Sequence, residues 1–248
     1  RVELIDGLRG YFLVSMLLTH MTFTGSYVLL KVNHAQLGFV QDAQGFVFLS
    51  GLLVGAIYAR RMERDGFRAA AAKMWRRAFE IYLTMLVCLV AVLALAQILP
   101  AAPAAWMQQL DRLLEPGAAA KVAALLMFYQ AGFFDILPQY VIYLAVAPPL
   151  LWLCLRGRAI AVVAGAFVVW LGVQLGLDRP LVVMLDAMLA TWQDGLSTRT
   201  MFNPLGWQLA FFAAMPIGVA WSRRRLDLPA WFDPRGRAPV LAALAVVL

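Results

Sequence analysis

The chain has 248 residues, of which 63% are hydrophobic and only 14% are charged, and its mean hydropathy is +0.76. A soluble fold of this length does not need to bury so much apolar surface, so the composition excludes a soluble globular protein and predicts an integral membrane protein. The formal net charge is +7, but the basic residues are confined to short connections between apolar runs. That distribution is typical of membrane orientation and argues against a nucleic-acid partner.

The first apolar run, residues 8–30, is long enough to cross a bilayer as a helix of roughly 34 Å, and it contains Arg9 and His20. A basic residue near the bilayer centre costs about 2.5 to 3.5 kcal/mol, so such a group usually faces a partner, a cavity or a substrate. Eleven helical steps of about 100° bring both residues to one face, about 16 Å apart. The alternative is that Arg9 snorkels to lipid headgroups and His20 is a hydrogen-bonded packing residue.

A second span is predicted over residues 45–60, where Gly51 and Gly55 form a small-xxx-small pair that favours close approach of another helix. At the edge of the next span, Glu80 is expected to pair with Arg76 one turn earlier. The connection between the two spans is strongly basic, which predicts that it is cytoplasmic and that the first helix begins inside the cell. Its seven basic residues are Arg60, Arg61, Arg64, Arg68, Lys73, Arg76 and Arg77.

The later part of the chain alternates between apolar spans and polar stretches. We expect Pro148 and Pro149 to kink or break the inner half of one span. Residues 122–134 are apolar but too short to cross, so we interpret them as an interfacial or re-entrant helix, and the external stretch 180–201 holds a similar short piece. The remaining predicted spans are residues 79–99, 136–155, 159–177 and 202–221, with a partial span at 238–248.

The distribution of charge supports this topology. Of the 21 Lys and Arg residues, 14 fall in the three connections that the topology places inside. The bias predicts a multi-pass protein with a cytoplasmic N-terminus. We therefore expect a single all-α domain over residues 1–248, a polytopic transmembrane helical bundle. Because the sequence stops inside an apolar run, we expect it to be a C-terminally truncated piece of a longer membrane protein.

Soluble catalytic templates such as the P-loop, the dinucleotide fingerprint and the nucleophile elbow do not occur in the sequence. Cys88 and Cys154 fall at different predicted depths, so we interpret both as packing residues and predict no disulfide or metal site. Polar residues instead cluster at the outer ends of the predicted helices. Asp135 and Asn203 have an ordinary alternative as helix caps, and Trp207 as part of an aromatic belt. The clustered residues are Asp42, Asp135, Tyr140, Asn203, Trp207 and Gln208.

The R-x10-H spacing from Arg9 to His20 resembles the hallmark of the transmembrane acyltransferase superfamily called acyltransferase family three. Four blocks resemble successive blocks of one family within it, the OpgC family, whose members are membrane enzymes that add succinyl groups to periplasmic glucans. The likeness covers nearly the whole chain in the right order. The blocks are IDGLRGYFLVSMLLTH, DAQGFVFLSGLLVGAIYARR, FDILPQYVIYLAVAPPLLW and FNPLGWQLAFF.

The resemblance implies a bacterial inner-membrane fold of about ten helices, of which this chain would hold six to seven. It implies transfer of a succinyl group from cytoplasmic succinyl-CoA, a co-substrate rather than a resident cofactor, to a periplasmic glucan, with His20 as the catalytic residue. It assigns Asp6 and Arg9 to the donor and catalytic region. The chain departs from the pattern at Gln44, where relatives often carry an acidic residue. Residues assigned to the acceptor or the wall of the site are Asp135, Asn203, Trp207 and Gln208, and Tyr140 lies in the same block as Asp135.

The residues also suggest how such a reaction would run. Arg9, helped by Arg76, Arg77 or Lys73, would hold the phosphates of an acyl-CoA as charge-assisted hydrogen-bond donors. His20 would act as general base on a sugar hydroxyl or form a covalent acyl-histidine.

Two further roles are open at this stage. Asp42 or Asp135 would orient the imidazole, as a carboxylate does in a catalytic triad. A succinyl donor would need a second cation for its free carboxylate, for which Arg179 and Arg199 are candidates.

A different class of function stays open. Broken helices with buried charges also occur in secondary transporters of small anionic or sugar substrates. The sequence has no clear internal repeat, which argues mildly against transport. A non-catalytic membrane scaffold is a third alternative, but it would leave Arg9 and His20 unexplained. The oligomeric state is not predicted.

Overall fold

A computed structural model describes residues 3–20, 41–99, 110–132, 134, 136–198 and 203–226. The elements in this part of the chain are helices, which confirms the predicted all-α class. In chain order they are α1 (Glu3–His20), α2 (Asp42–Ile98), a short 3-10 helix (Asp111–Leu113), α3 (Ala119–Leu125), α4 (Ile136–Leu155), α5 (Ala159–Gln174), α6 (Arg179–Ala190) and α7 (Pro204–Ser222).

Within the described ranges, three helices are long and apolar enough to cross a membrane: α2, α4 and α7. A fourth candidate is the pair α5 and α6, which bends by 68° and forms either a broken span or a re-entrant loop. The prediction of six to seven spans therefore stays a prediction. Helix α1 begins at Glu3, five residues before the predicted start of the span 8–30. The part of that span after His20 and the whole partial span 238–248 lie outside the described residues.

Helix α2 contains both predicted spans 45–60 and 79–99 within one assigned helix of 57 residues. Gly66 interrupts its helical geometry with a φ of 84° and a ψ of 168°. Glycine suits this position because it adopts positive φ without a Cβ clash. The basic connection is therefore helical on both sides of Gly66.

The proline pair does not break α4, which continues through Pro148 and Pro149 to Leu155. The prediction was a kink or a break. The break is wrong for a reason that lies elsewhere in the sequence, and the kink stays a prediction. Pro149 has no N–H to give to the carbonyl of Ala145. The indole N–H of Trp75 donates to that carbonyl at 3.0 Å, so the freed acceptor is satisfied.

The chain divides into two compact units. The first contains Arg1–Gly66, Leu150–Val163 and Ala210–Leu248, and the second contains Phe67–Pro149 and Ala164–Leu209.

In the first unit, α1 packs on the beginning of α2. Ile5 lies in a buried cluster with Leu52, and Phe12 lies against Gly45. Because the residue numbers run in opposite directions along the contact, the two helices are antiparallel.

The beginning of α2 and the end of α7 pack main chain against main chain. A Cβ added at Gly51 would meet the carbonyl of Phe211, and one added at Gly55 would meet that of Met215. This contact confirms the predicted close helix approach at the small-xxx-small pair. The two helices are parallel, since their residue numbers rise together along the contact.

In the second unit, the segment from residue 110 to 131 packs alongside α2. The hydroxyl of Tyr82 donates to the carbonyl of Leu125 at 2.9 Å. The helix in this segment is 119–125 rather than the predicted 122–134. It lies beside the predicted span 79–99 and not beyond its end, which favours the re-entrant over the interfacial alternative; which of the two holds in the membrane stays a prediction. Leu89, Val92, Leu93 and Ala96 of α2 pack against a buried cluster that includes this segment. The cluster consists of Leu110, Leu113, Ala120, Ala123, Ala124, Tyr129, Ala131, Leu189 and Leu196.

Helix α5 is shorter than the predicted span 159–177 because Gly176 ends it. Gly176 has a φ of 74°, its N–H donates to the carbonyl of Val173 at 2.9 Å, and that of Leu177 donates to the carbonyl of Gly172 at 2.9 Å. This pattern is a Schellman motif, which turns the chain sharply after a helix. The 12-residue helix α6 follows, in agreement with the short piece predicted in 180–201.

Candidate functional site

Helix α1 carries Arg9 and His20 on one unbroken helix, as the sequence predicted. The guanidinium carbon of Arg9 lies 5.6 Å from the ring centroid of Phe46, within the range of a cation–π contact. Its Nε is buried and has no hydrogen-bond partner in the described part of the chain. Arg9 is therefore directed toward α2 rather than away from the protein. Nothing is described of the His20 side chain, and Asp6 is exposed one turn before Arg9.

Asp42 lies in the first turn of α2, with its side chain buried. Phe46 follows one turn later, so Asp42 shares a face of α2 with the ring that contacts Arg9. A helix N-terminus favours a negative charge, which gives Asp42 a structural role irrespective of catalysis. Whether it orients an imidazole stays a prediction.

The departure at Gln44 has a local explanation. Its side-chain oxygen accepts a hydrogen bond from the N–H of Gln41 at 3.1 Å. A residue three positions after the N-cap that reaches back to the N-cap N–H is one half of a capping box, and glutamine performs this role as glutamate does. Gln44 therefore serves the start of α2 as a glutamate would.

In the second unit, the predicted acceptor residues lie near the beginnings of α4 and α7. Tyr140 and Gln208 are both buried, and the Gln208 amide donates to the carbonyl of Ala166 at 2.7 Å. Trp207, beside Gln208, is half-buried. Gln208 therefore ties α7 to α5.

Asn203 is a helix cap, which was the ordinary alternative for this residue. Its side-chain oxygen accepts a hydrogen bond from the N–H of Leu205 at 2.9 Å, and its amide donates to the carboxylate of Asp178 at 2.6 Å. The side chain is thus engaged on both sides. Its place in the wall of an acceptor site stays a prediction.

Sequence reasoning missed two buried polar residues of α4. The hydroxyl of Tyr143 donates to the carbonyl of Pro204 at 2.7 Å and lies 3.4 Å from the side-chain oxygen of Gln139. Gln139 is fully buried. The two residues are four apart and so share a helix face, a polar pair inside an apolar span that the sequence could have revealed.

The basic stretch is partly neutralised by two carboxylates. Arg76 and Arg77 each lie 3.2 Å from a carboxylate oxygen of Glu80, which confirms the expected Arg76 pair and adds a second cation. Arg64 donates to Asp65 at 2.6 Å, and this hydrogen bond raises the pKa of Arg64. Three basic residues of the stretch, Arg60, Arg68 and Lys73, have no carboxylate partner among the described residues.

The remaining candidates divide as follows. Arg9 and Asp42 belong to the first unit, and the acceptor candidates on α4 and α7 belong to the second. Asp135 and Arg199 lie outside the described residues. Arg179 is exposed at the beginning of α6.

Comparison with known proteins gives one match. All 248 residues, 1–248, match a protein-family model described as OpgC protein. No curated protein and no solved structure matches the chain significantly. The matched region includes every helix described above.

Proposed function

Because the chain belongs to the OpgC family over its whole length, we propose that it is a membrane-embedded acyltransferase. Its donor is cytoplasmic acyl-CoA, its acceptor is a hydroxyl of a periplasmic glucan, and the acyl group is succinyl. The membrane is the bacterial inner membrane, with the N-terminus on the cytoplasmic side.

The observation that carries this proposal is the continuity of α1. Arg9 and His20 are eleven residues apart on this helix, so their backbone positions share a face and lie about 16 Å apart. The guanidinium of Arg9 contacts Phe46, and its buried Nε still has a hydrogen to donate. One helix therefore carries a cation for the donor and, three turns further on, an imidazole for the reaction.

The chemistry is a thioester-to-ester exchange. His20 accepts the proton of a sugar hydroxyl while the hydroxyl oxygen attacks the thioester carbonyl carbon. The new C–O bond forms, the C–S bond breaks, and the imidazolium returns the proton to the departing thiolate of coenzyme A. In the two-step alternative, the imidazole first takes the acyl group and then gives it to the hydroxyl.

The pattern of ion pairs ranks the cations that would hold the coenzyme A phosphates. Arg76 and Arg77 share the carboxylate of Glu80, so their combined charge is reduced to +1. Lys73 has no carboxylate partner among the described residues and is exposed. Unpaired cations form stronger charge-assisted hydrogen bonds with phosphate. Among the three cations predicted to help Arg9, namely Lys73, Arg76 and Arg77, we therefore assign the larger role at the donor head to Lys73.

The catalytic assignment is tested with purified full-length chain in lipid nanodiscs, succinyl-CoA labelled in the acyl group, and periplasmic glucan. We expect the His20→Ala variant to lose acyl transfer by a factor of about 10²–10⁴ or more, because the general base is removed. The matched control is His34→Ala, which changes the other histidine of the chain and is expected to retain turnover.

Two outcomes would contradict the proposal. Turnover by His20→Ala at the wild-type rate removes His20 from the reaction. Accumulation of unmodified glucan or succinate in proteoliposomes, without any labelled glucan, identifies a transporter instead.

The donor assignment has its own measurement in the same assay. We expect Lys73→Ala to raise the KM for succinyl-CoA by about tenfold, since a hydrogen bond to a charged group is lost. Arg76→Ala is the matched control and should have a smaller effect, because Glu80 already shares its charge. Equal effects of the two variants would contradict the ranking.

A further inference from the structure

The side chain of Gln130 has an unusual position directly after α3. It is 7% exposed, and its side-chain oxygen has no hydrogen-bond partner in the described residues. Its amide nitrogen lies 3.5 Å from the main-chain carbonyl of Met127, a weak hydrogen bond. A carbonyl oxygen can face only a donor, so this contact assigns the side-chain nitrogen to the side of Met127. The unpartnered atom is therefore an acceptor.

Other buried glutamines of the second unit differ from Gln130. The oxygen of Gln139 lies within 3.4 Å of the Tyr143 hydroxyl, and the amide of Gln208 donates to the carbonyl of Ala166 at 2.7 Å. Buried polar atoms are almost always paired, so an exception needs a reason.

Other polar side chains of the second unit are themselves paired. Arg112 forms an ion pair with Glu115 at 3.1 Å, and Glu115 also accepts a hydrogen bond from Gln193 at 2.7 Å. The ammonium of Lys121 donates to the carbonyls of Glu115 and Gly117 at 2.9 and 2.7 Å. These donors therefore have acceptors of their own, whereas the Gln130 oxygen has no donor among the described residues.

The backbone before Gln130 is held in a costly conformation. Met127 has a φ of 62°, in the left-handed region that glycine usually occupies. Its N–H donates to the carbonyl of Ala124 and that of Phe128 donates to the carbonyl of Ala123, at 3.0 and 2.9 Å, which ends α3 in a Schellman turn. This turn fixes the direction in which the chain leaves α3 and hence the position of Gln130.

We propose that the side-chain oxygen of Gln130 accepts a hydrogen bond from a neutral O–H or N–H group of a substrate. A sugar hydroxyl of the acceptor and an amide N–H of the pantetheine arm of acyl-CoA both have this chemistry. The inference rests on the proposed function and adds a substrate-binding residue that follows α3. Gln130 positions the substrate and takes no part in proton transfer.

The test uses full-length wild-type and Gln130→Met protein in nanodiscs, with labelled succinyl-CoA and periplasmic glucan. Methionine has a similar length but no acceptor oxygen. We expect the KM for one substrate to rise about three- to tenfold, while the midpoint of thermal unfolding stays the same or rises because an unpaired buried acceptor is removed. A higher KM for glucan identifies the sugar hydroxyl, and a higher KM for succinyl-CoA identifies the pantetheine amide.

The matched control is Gln139→Met, which removes a buried glutamine whose oxygen faces Tyr143 and should lower the unfolding midpoint. If Gln130→Met lowers the midpoint as Gln139→Met does and leaves both KM values unchanged, Gln130 has a structural partner and the inference is wrong. Unchanged KM values at an unchanged midpoint also overturn it. Absence of acyl transfer by the wild-type protein overturns the proposed function, and this inference with it.

Discussion

The two units of this protein hold their helices together by different means. In the first unit, Gly51 and Gly55 of α2 and Gly218 of α7 bring main chain directly against main chain. In the second unit, long polar side chains reach from one helix to a main-chain carbonyl of another element. The donors are Trp75, Tyr82, Tyr143 and Gln208, and their acceptors are the carbonyls of Ala145, Leu125, Pro204 and Ala166.

The difference matters because lipid gives helices no hydrophobic reason to associate. Small residues allow van der Waals contact over a wide surface, whereas interhelical hydrogen bonds contribute individually and modestly. The glycine contact has no room for an added atom, so it fixes the helices against which α1 and Arg9 pack. We expect that each polar contact of the second unit can be weakened without loss of the rest.

The largest effect is expected at the glycine contact. Gly55→Ala places a methyl group against the main chain of Met215, which cannot rotate away as a side chain would. We expect the free energy of unfolding to fall by about 3 kcal/mol, the upper part of the usual range for overpacking. Thermal unfolding of the purified protein in one detergent would measure the change.

Gly165 of α5 supplies the matched control from the other unit. A Cβ at Gly165 would meet no atom within 4 Å, and alanine is the better helix former, so Gly165→Ala should stabilise by up to about 1 kcal/mol. If both variants have the same effect, close packing at Gly55 is not what distinguishes the first unit.

Much of the fold could be predicted where apolar runs have clear ends. The predicted span 136–155 coincides with α4, and 202–221 differs from α7 by one or two residues at each end. The helical conformation of the basic stretch of α2 was harder to predict, because charge indicates exposure and not backbone conformation. The continuation of α4 through Pro148 and Pro149 could not be predicted either. The carbonyl that Pro149 leaves without a donor is satisfied by Trp75, which lies 70 residues away from it in the sequence.

The candidate site also contains residues that could be predicted from the sequence and residues that could not. Arg9 could be identified because a charge inside an apolar run is conspicuous on its own. The role proposed for Gln130 could not be predicted from the sequence, because an atom is recognised as unpaired only when the positions of its neighbours are known. The roles of His20 and Asp135 stay predictions, because the side chain of the first and the whole of the second lie outside the described residues.

A smaller effect is expected from the polar contacts of the second unit, and two tyrosines allow it to be measured. Tyr143→Phe removes the buried hydroxyl that donates to the Pro204 carbonyl at 2.7 Å, which should lower the free energy of unfolding by about 1 kcal/mol. Tyr82→Phe removes an exposed bond to the Leu125 carbonyl and should cost less. The Pro204 carbonyl still accepts a hydrogen bond from a main-chain N–H of its own helix. The decrease in the free energy of unfolding for Tyr143→Phe should therefore stay well below that for Gly55→Ala. A loss at Tyr143 as large as that at Gly55 would mean that the second unit, like the first, depends on one irreplaceable contact.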